Sequence, residues 1–390
     1  MIRISDDQRR ARLGNRHLLS VPAGSPVETA DALVGLRSSD PATVFLSCQA
    51  RVPGFDPTML ERALYDDREL VRIYGMRRTL WVVSQSVMPL VDSSATRSIA
   101  TSSRRRFTKI IEDQGVADDG DRWLTEVTPR ILSVLAEKGD TLGRDLTSLV
   151  PELDREMVFY NKAGKLMGKT RMVTNTMVQL ALEGQVTRGR PIGTWVSSQY
   201  HWSEMESWLG APIQDLPTRT ASRELIRRWL RAFGPGTETD IRWWTGWTAR
   251  QAREALADVG AIEVDLDGGI GYLLADGLEP EEEAEPWVAL LPSLDPTTMG
   301  WKERDWYLGD HYPTLFDRNG NAGPTIWVDG RVVGGWAQRK TGEIVYELLE
   351  DVGREASEIV ETKAGLLQQW MGDVVVTPRF RSPHDKELAG

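Results

Sequence analysis

Lys169-Thr170-Arg171-Met172-Val173-Thr174-Asn175-Thr176-Met177-Val178-Gln179-Leu180-Ala181-Leu182-Glu183-Gly184 reads as a helix stopped by a glycine. Val173, Met177 and Leu180 recur at helical spacing and mark a buried face. Arg171, Thr174, Asn175 and Gln179 fall on the opposite face, and Lys169 precedes them. Such side chains reach phosphates and base edges. Gln185 to Trp202 then reads as two strands around an Arg188-Gly189-Arg190-Pro191 tip. A polar-faced helix followed by an Arg-tipped hairpin is the pattern of a recognition helix and its wing. An ordinary amphipathic helix before an ordinary hairpin fits the same letters. Charge favours the first reading. Between Asp154 and Trp202 there are seven Lys/Arg (155, 162, 165, 169, 171, 188, 190) against three acids (154, 156, 183), in a chain of net charge −10. A basic island in an acidic protein points to an anionic partner, here double-stranded DNA.

The same order of elements recurs outward from that stretch. Ser25-Pro26-Val27-Glu28 is a capping signal for a helix carrying Val27, Ala30, Leu33 and Leu36 and ending near Arg37-Ser38-Ser39. Asp40-Pro41 and Asp56-Pro57 cap two more, and Leu70 to Val83 reads as a strand pair. After a helix carrying Arg97, Arg104, Arg105, Arg106 and Lys109, a second unit runs to the opening stretch. A third has a helix with Leu225, Trp229 and Phe233, caps at Thr237 and Thr248, and a hairpin turning at Asp267-Gly268-Gly269. Leu278 to Pro286 is an acidic linker. Beyond it come strands at Trp287–Leu291, Thr325–Val328, Arg331–Trp336, Ile344–Leu348 and Val374–Phe380, with a helix from Arg354 to Met371 before the last. The expected fold is α+β: three tandem winged-helix units (1–117, 118–212, 213–278) and a C-terminal antiparallel β-barrel (287–390).

Composition excludes several functions. One cysteine, Cys48, allows neither a disulfide framework nor a thiolate zinc site within one chain, and four scattered histidines give no metal spacing. No glycine-rich phosphate loop and no nucleophile–His arrangement is present. No metal and no cofactor are expected. The N-terminus lacks an apolar signal core and no apolar run reaches membrane-spanning length, so the expectation is a cytoplasmic monomer.

Several motifs carry a further resemblance. They are Leu70-Val71-Arg72 through Met76-Arg77-Arg78-Thr79-Leu80, Gly184-Gln185-Val186 through Gly193-Thr194-Trp195, Leu291-Pro292 with Asp295-Pro296, Gly300 and Arg304, and Pro324 through Trp336. On these the chain resembles the bacterial family of winged-helix DNA-binding-domain proteins that includes DNA glycosylases unhooking alkylated and crosslinked purines. The likeness covers nearly the whole length. It implies tandem winged helices and a β-barrel around a DNA-binding concavity, and a possible N-glycosidic hydrolase. Characterised glycosylases of the family carry Gln-x-Gln or Gln-x-Asp at the end of the second N-terminal helix. That place here is Gly35-Leu36-Arg37-Ser38-Ser39-Asp40, with neither glutamine. The family often has His after Thr-Leu; here it is Trp81.

Hydrolysis of a cationic alkylpurine needs a positioned water and stabilisation of positive charge on the sugar. In this segment Asp40 offers the carboxylate and Ser39 could orient the water. Asp40 could equally cap the helix that begins at Pro41. Arg37, always cationic, suits a phosphate contact or a solvated helix end. Arg77 and Arg78 of the strand pair join Lys169, Arg171, Asn175, Gln179, Arg188 and Arg190 as DNA-contact candidates. Trp243 and Trp247 could stack on bases, or could pack a short helix. Lys302 to Asp305 reads as local ion pairs. A non-catalytic DNA-binding or regulatory protein is the alternative to a glycosylase.

Overall fold

The computed structural model describes residues 1–160, 163–278 and 285–390; Lys162 of the basic island and residues 279–284 of the acidic linker lie outside them. Local capping signals set many of the helix starts. Ser25, Asp40 and Asp56 each accept a backbone N–H at the head of Pro26–Ala32, Pro41–Gln49 and Pro57–Glu61, with proline at the first turn each time. Thr237 and Thr248 do the same for Glu238–Thr245 and Ala249–Val259.

Three small sheets accompany these helices. Leu80–Ser84 lies between Leu36–Arg37 and Leu70–Tyr74 in the first. Tyr200–Glu204 lies between Thr141–Leu142 and Val186–Pro191 in the second. The hairpin Ile262–Leu266 and Gly269–Leu273 is the centre of the third, with Gly236–Thr237 on one edge and the N-terminal Ile2–Arg3, paired in parallel, on the other. Glu156–Tyr160 and Leu166–Arg171 form a separate two-stranded hairpin.

The expected C-terminal barrel is absent. Val288–Leu291, Thr325–Val328, Arg331–Gln338 and Ile344–Leu348 form an open, four-stranded antiparallel sheet in that order. The helix Gly353–Met371 packs on this sheet. The strand expected at Val374–Phe380 does not form, and side-chain chemistry explains why. Gln338 Nε2 donates to the Val374 carbonyl at 3.0 Å, and Val376 N–H donates to Gln338 Oε1 at 2.8 Å. Arg379 N–H donates to Asp40 Oδ2 at 2.8 Å. Backbone groups satisfied by side chains are withdrawn from a ladder.

Three other expectations shift. The helix beginning at Pro26 ends at Ala32 rather than near Arg37. Val34 (φ 55°) and Gly35 (φ 112°) turn the chain, and Leu36–Arg37 becomes a strand. A side chain at Gly35 would meet Val83 Cγ1 at 2.9 Å, so this turn needs glycine on both counts. Lys169–Arg171 is strand, and the helix begins at Met172. Arg188 and Arg190 sit within the strand Val186–Pro191, so the hairpin tip is the Ile192–Gln199 segment instead.

Packing divides the described residues into two large cores and a small one. Phe107, Ile131, Met172, Met177 and Leu180 belong to one. The other joins the first sheet, the helix Thr218–Phe233 and the C-terminal sheet. Within it Arg51, at the end of the helix Pro41–Gln49, is fully buried in an ion pair with Asp295 at 2.8 Å. That pair ties the helix following Arg37–Asp40 to the loop leading towards Arg304.

Candidate nucleic-acid interface

The short strand Leu36–Arg37 presents the segment singled out for chemistry. Asp40 is buried and acts as a cap. Its Oδ1 accepts the Ala42 N–H at 3.3 Å and its Oδ2 the Arg379 N–H at 2.8 Å. Burial raises the Asp40 carboxyl above the usual carboxylate range, against the opposing pull of those N–H groups and the Arg379 charge. Ser39 is half-buried, and its carbonyl accepts from Arg379 Nη1 at 3.3 Å. Ser38 Oγ accepts from Arg72 Nε at 2.9 Å.

Around this segment stand arginines without acidic partners. Arg37 is buried, with its guanidinium 5.3 Å from the Trp81 ring centroid and its Nε without a hydrogen-bond acceptor. Burial first, then the charges of Arg77 and Arg304, pull the Arg37 guanidinium down to about 9. Arg77 lies exposed in the turn between Leu70–Tyr74 and Leu80–Ser84, 4.2 Å from the Trp243 centroid. Partial burial of its guanidinium and then the Arg304 charge lower its pKa. Arg304 is buried, 4.7 Å from Trp243 and 4.7 Å from Phe316; its Nε donates to the Trp301 carbonyl and its Nη2 has no acceptor. The expected ion pairs of the 302–305 loop therefore do not include Arg304.

Arg72 and Arg188 are two further arginines set against aromatic rings. Buried Arg72 lies 4.7 Å from the Tyr200 centroid and donates to Tyr65 Oη at 3.0 Å. Arg188 stands 5.4 Å from both Tyr200 and Trp202 and donates to Tyr74 Oη at 3.2 Å. Among the described residues, none of Arg37, Arg72, Arg77, Arg188 and Arg304 has a carboxylate partner.

Three other members of the basic island are neutralised locally. Lys169 pairs with Glu156 at 2.8 Å and Arg171 with Asp154. Arg190 bridges to Glu61 at 3.0 Å and Asp66 at 2.9 Å, pinning the second sheet to the first unit. Gln179 does not face outward: it is buried and donates to the Ala100 carbonyl at 3.2 Å. Asn175 donates to the Arg171 carbonyl at 3.2 Å, and Thr174 is exposed. Arg78 is exposed and reaches Ser103 Oγ at 3.4 Å. Trp247 is buried with its Nε1 donating to the Ser94 carbonyl at 2.9 Å, so it packs rather than offering a stacking face; Trp243 is half-buried between arginines.

A family model described as DNA glycosylase AlkZ-like matches residues 30–370. The chain belongs to the AlkZ-like family. No curated protein matches it. Among solved structures, the Streptomyces sahachiroi DNA glycosylase AlkZ is similar, at TM-score 0.73 and 21% identity over 96% of this chain and 99% of that one. That likeness carries the fold.

In this AlkZ-like chain the cavity beside Asp40 measures about 20 Å³, lined by Thr43, Leu46, Trp336, Gln338 and Val376 among others. It has room for about one water and none for a purine. A larger cleft of about 310 Å³ opens where Arg188, Tyr200 and Trp202 face Arg144 and Thr174. Sequence reasoning missed Arg379 and the grouping of Arg304 with Arg37. The first lies in a segment read as a strand. The second joins positions 267 residues apart, which no local pattern brings together. No helix among the described residues is long and apolar enough to cross a membrane. Among the described residues, no group of three His, Cys, Asp or Glu side chains could hold a metal ion.

Proposed function

We propose that this AlkZ-like protein acts in DNA repair and binds duplex DNA carrying alkylated or crosslinked purines. The observation that carries the reading is a set of arginines without carboxylate partners in a protein with net charge −10: Arg72 on Ser38, Arg37 on Trp81, Arg77 and Arg304 on Trp243, and Arg188 on Tyr200 and Trp202. Cations without acidic partners supply the counterion-releasing contacts of a nucleic-acid site. The segment Arg37 to Asp40, with Ser39 and the capped Asp40, is the place to look for glycosylase chemistry.

A second reading, lesion binding without hydrolysis, is favoured by one observation. Both Asp40 oxygens accept backbone N–H groups, which leaves the carboxylate poorly placed to activate water. Incubation of the protein with a 7-methylguanine duplex, scored in parallel for retention and for released base, tests both. Salt-dependent retention with base release supports a glycosylase. Retention alone supports the second reading. Absence of salt-dependent duplex binding sinks the DNA assignment altogether.

A further inference from the structure

Three of these arginines form a unit that the DNA-binding reading does not by itself explain. Arg37, Arg77 and Arg304 come from a strand, a turn and a loop that are far apart in sequence, and each lies against an indole ring. Arg37 lies against Trp81, while Arg77 and Arg304 both lie against Trp243. Arg37 and Arg304 are 4% and 3% exposed, and each keeps a buried N–H with no acceptor, at Nε and Nη2 respectively. Arg77 and the half-buried Trp243 form the outer side of the group.

Such an arrangement is costly in the absence of a ligand. Unpaired buried guanidinium N–H groups lose their hydration, and like charges repel in a medium less polar than water. The structure offers a ready contrast in Arg51, equally buried, whose donors meet Asp295, Ser47, Thr297 and the His17 carbonyl. Nothing comparable serves Arg37. A group with several acceptor oxygens and negative charge would satisfy both orphaned donors and cancel the repulsion. A carboxylate matches one guanidinium fork; a phosphate group offers oxygens to more than one. Indole rings beside the cations limit competition from water and favour planar guanidinium groups.

We propose that Arg37, Arg77 and Arg304 form a phosphate-binding site that takes a phosphodiester of a bound DNA strand. The DNA part of this assignment rests on the function proposed above; the anion site itself does not. It recasts the departure at Arg37 as a gain of strand grip in the segment where characterised glycosylases of the family carry their glutamines.

The test uses the full chain, with Arg37→Met, Arg37→Lys and Arg77→Ala as variants. Thermal melting is compared in sodium phosphate and in sodium chloride at matched ionic strength. Phosphate stabilises proteins generally, so the decisive quantity is the increment of the wild type over the variants. Expected is an extra rise on the order of 2 °C for the wild type, retained in part by Arg37→Lys and lost in Arg37→Met and Arg77→Ala. Arg37→Met should also melt above the wild type in chloride, because a repelled, unsatisfied cation is gone. Should Arg37→Met fail to fold, Arg77→Ala, altered at an exposed position, still reports the increment. In fluorescence anisotropy with duplex DNA, both charge-removing variants should bind about fivefold more weakly, with the salt slope reduced by about one.

Equal phosphate increments in wild type and Arg77→Ala overturn the site. A lost increment with unchanged DNA affinity and slope overturns the strand assignment and leaves free phosphate as the occupant. A wild type that shows the phosphate increment and binds no duplex sinks the proposed function, while the anion site stands.

Discussion

Asp295→Asn should destabilise the protein by about 3–5 kcal/mol, the usual cost of stranding one member of a buried ion pair. The structure sets that magnitude. Arg51 and Asp295 are both fully buried and meet in two parallel bonds, Nη2 to Oδ1 at 2.8 Å and Nη1 to Oδ2 at 2.9 Å. Asp295 also accepts Ser47 Oγ at 2.7 Å and the Thr297 N–H at 2.9 Å, so the amide would turn an NH₂ group towards existing donors. Urea unfolding followed by tryptophan fluorescence reads the loss, with Trp301 close by in sequence. Pairing Arg51→Met with Asp295→Leu removes both charges and should recover all but about 1–2 kcal/mol, because an apolar pair of similar volume often replaces a buried ion pair without penalty. Burial alone would raise the Asp295 carboxyl, but the Arg51 charge and its hydrogen bonds hold it below the ordinary range. A carboxyl depressed on folding contributes stability above its unfolded pKa of about 3.9 and loses it as pH falls through the folded value. The Asp295→Asn deficit should therefore shrink in acid below about pH 4. A loss under about 1 kcal/mol at neutral pH would refute the view that this pair anchors the helix Pro41–Gln49 to the C-terminal half.

His17 is buried and neutral, with Nδ1 2.9 Å from Thr297 Oγ1 and Nε2 3.1 Å from the Ala232 carbonyl. Burial, then the Arg51 charge, lowers it to about 3; stability is thus complete above the unfolded value of about 6.5 and declines as pH falls towards the folded one. A flat stability profile from about pH 6.5 to 4, indistinguishable from that of His17→Gln, would contradict this. Arg188→Ala should weaken duplex binding about fivefold, whereas Arg190→Ala, whose charge Glu61 and Asp66 already meet, should stay within about twofold. Equal losses in a salt titration would show that the Arg190 bridges open on binding. Asp40→Asn keeps the cap on the Ala42 N–H but turns its NH₂ towards the Arg379 N–H, so it should cost about 1–3 kcal/mol of stability, and it should leave release of 7-methylguanine by the folded protein at the wild-type level. A tenfold or greater drop, of about 1.4 kcal/mol in barrier, would make Asp40 the base after all.

How far the sequence could be read depended on how local each cause is. Caps at Ser25, Asp40, Asp56, Thr237 and Thr248 were legible because a side chain and a backbone N–H two or three residues later settle them. The buried face of Val173, Met177 and Leu180 was legible from spacing. Arg37 was read onto a helix because Val34, at positive φ, gives no local sign of a turn; the strand exists through pairing with Trp81 and Val82. Val374–Phe380 has strand-like residues, but Gln338 and Asp40 take its backbone groups. The basic island was legible as composition, yet its charges divide by partner: Lys169, Arg171 and Arg190 are paired, and Arg188 is not.

That division bears on chemistry as well as binding. An oxocarbenium ion forming next to Arg37 would face a positive charge, so the Arg37–Asp40 segment works against the charge development that amide and carboxylate groups assist. The same charge strengthens the hold on a negatively charged strand. Arg37 thus has opposite effects on the two steps, and its cost to folding, through burial and the nearby Arg77 and Arg304, adds to the asymmetry. Arg51 meets its acceptors in the core, whereas Arg37 Nε and Arg304 Nη2 do not; Arg9 Nε and Nη2 and a few other buried polar atoms elsewhere also lack partners. The balance favours a protein specialised towards gripping DNA, in which any base release must draw mainly on the lability of a cationic lesion.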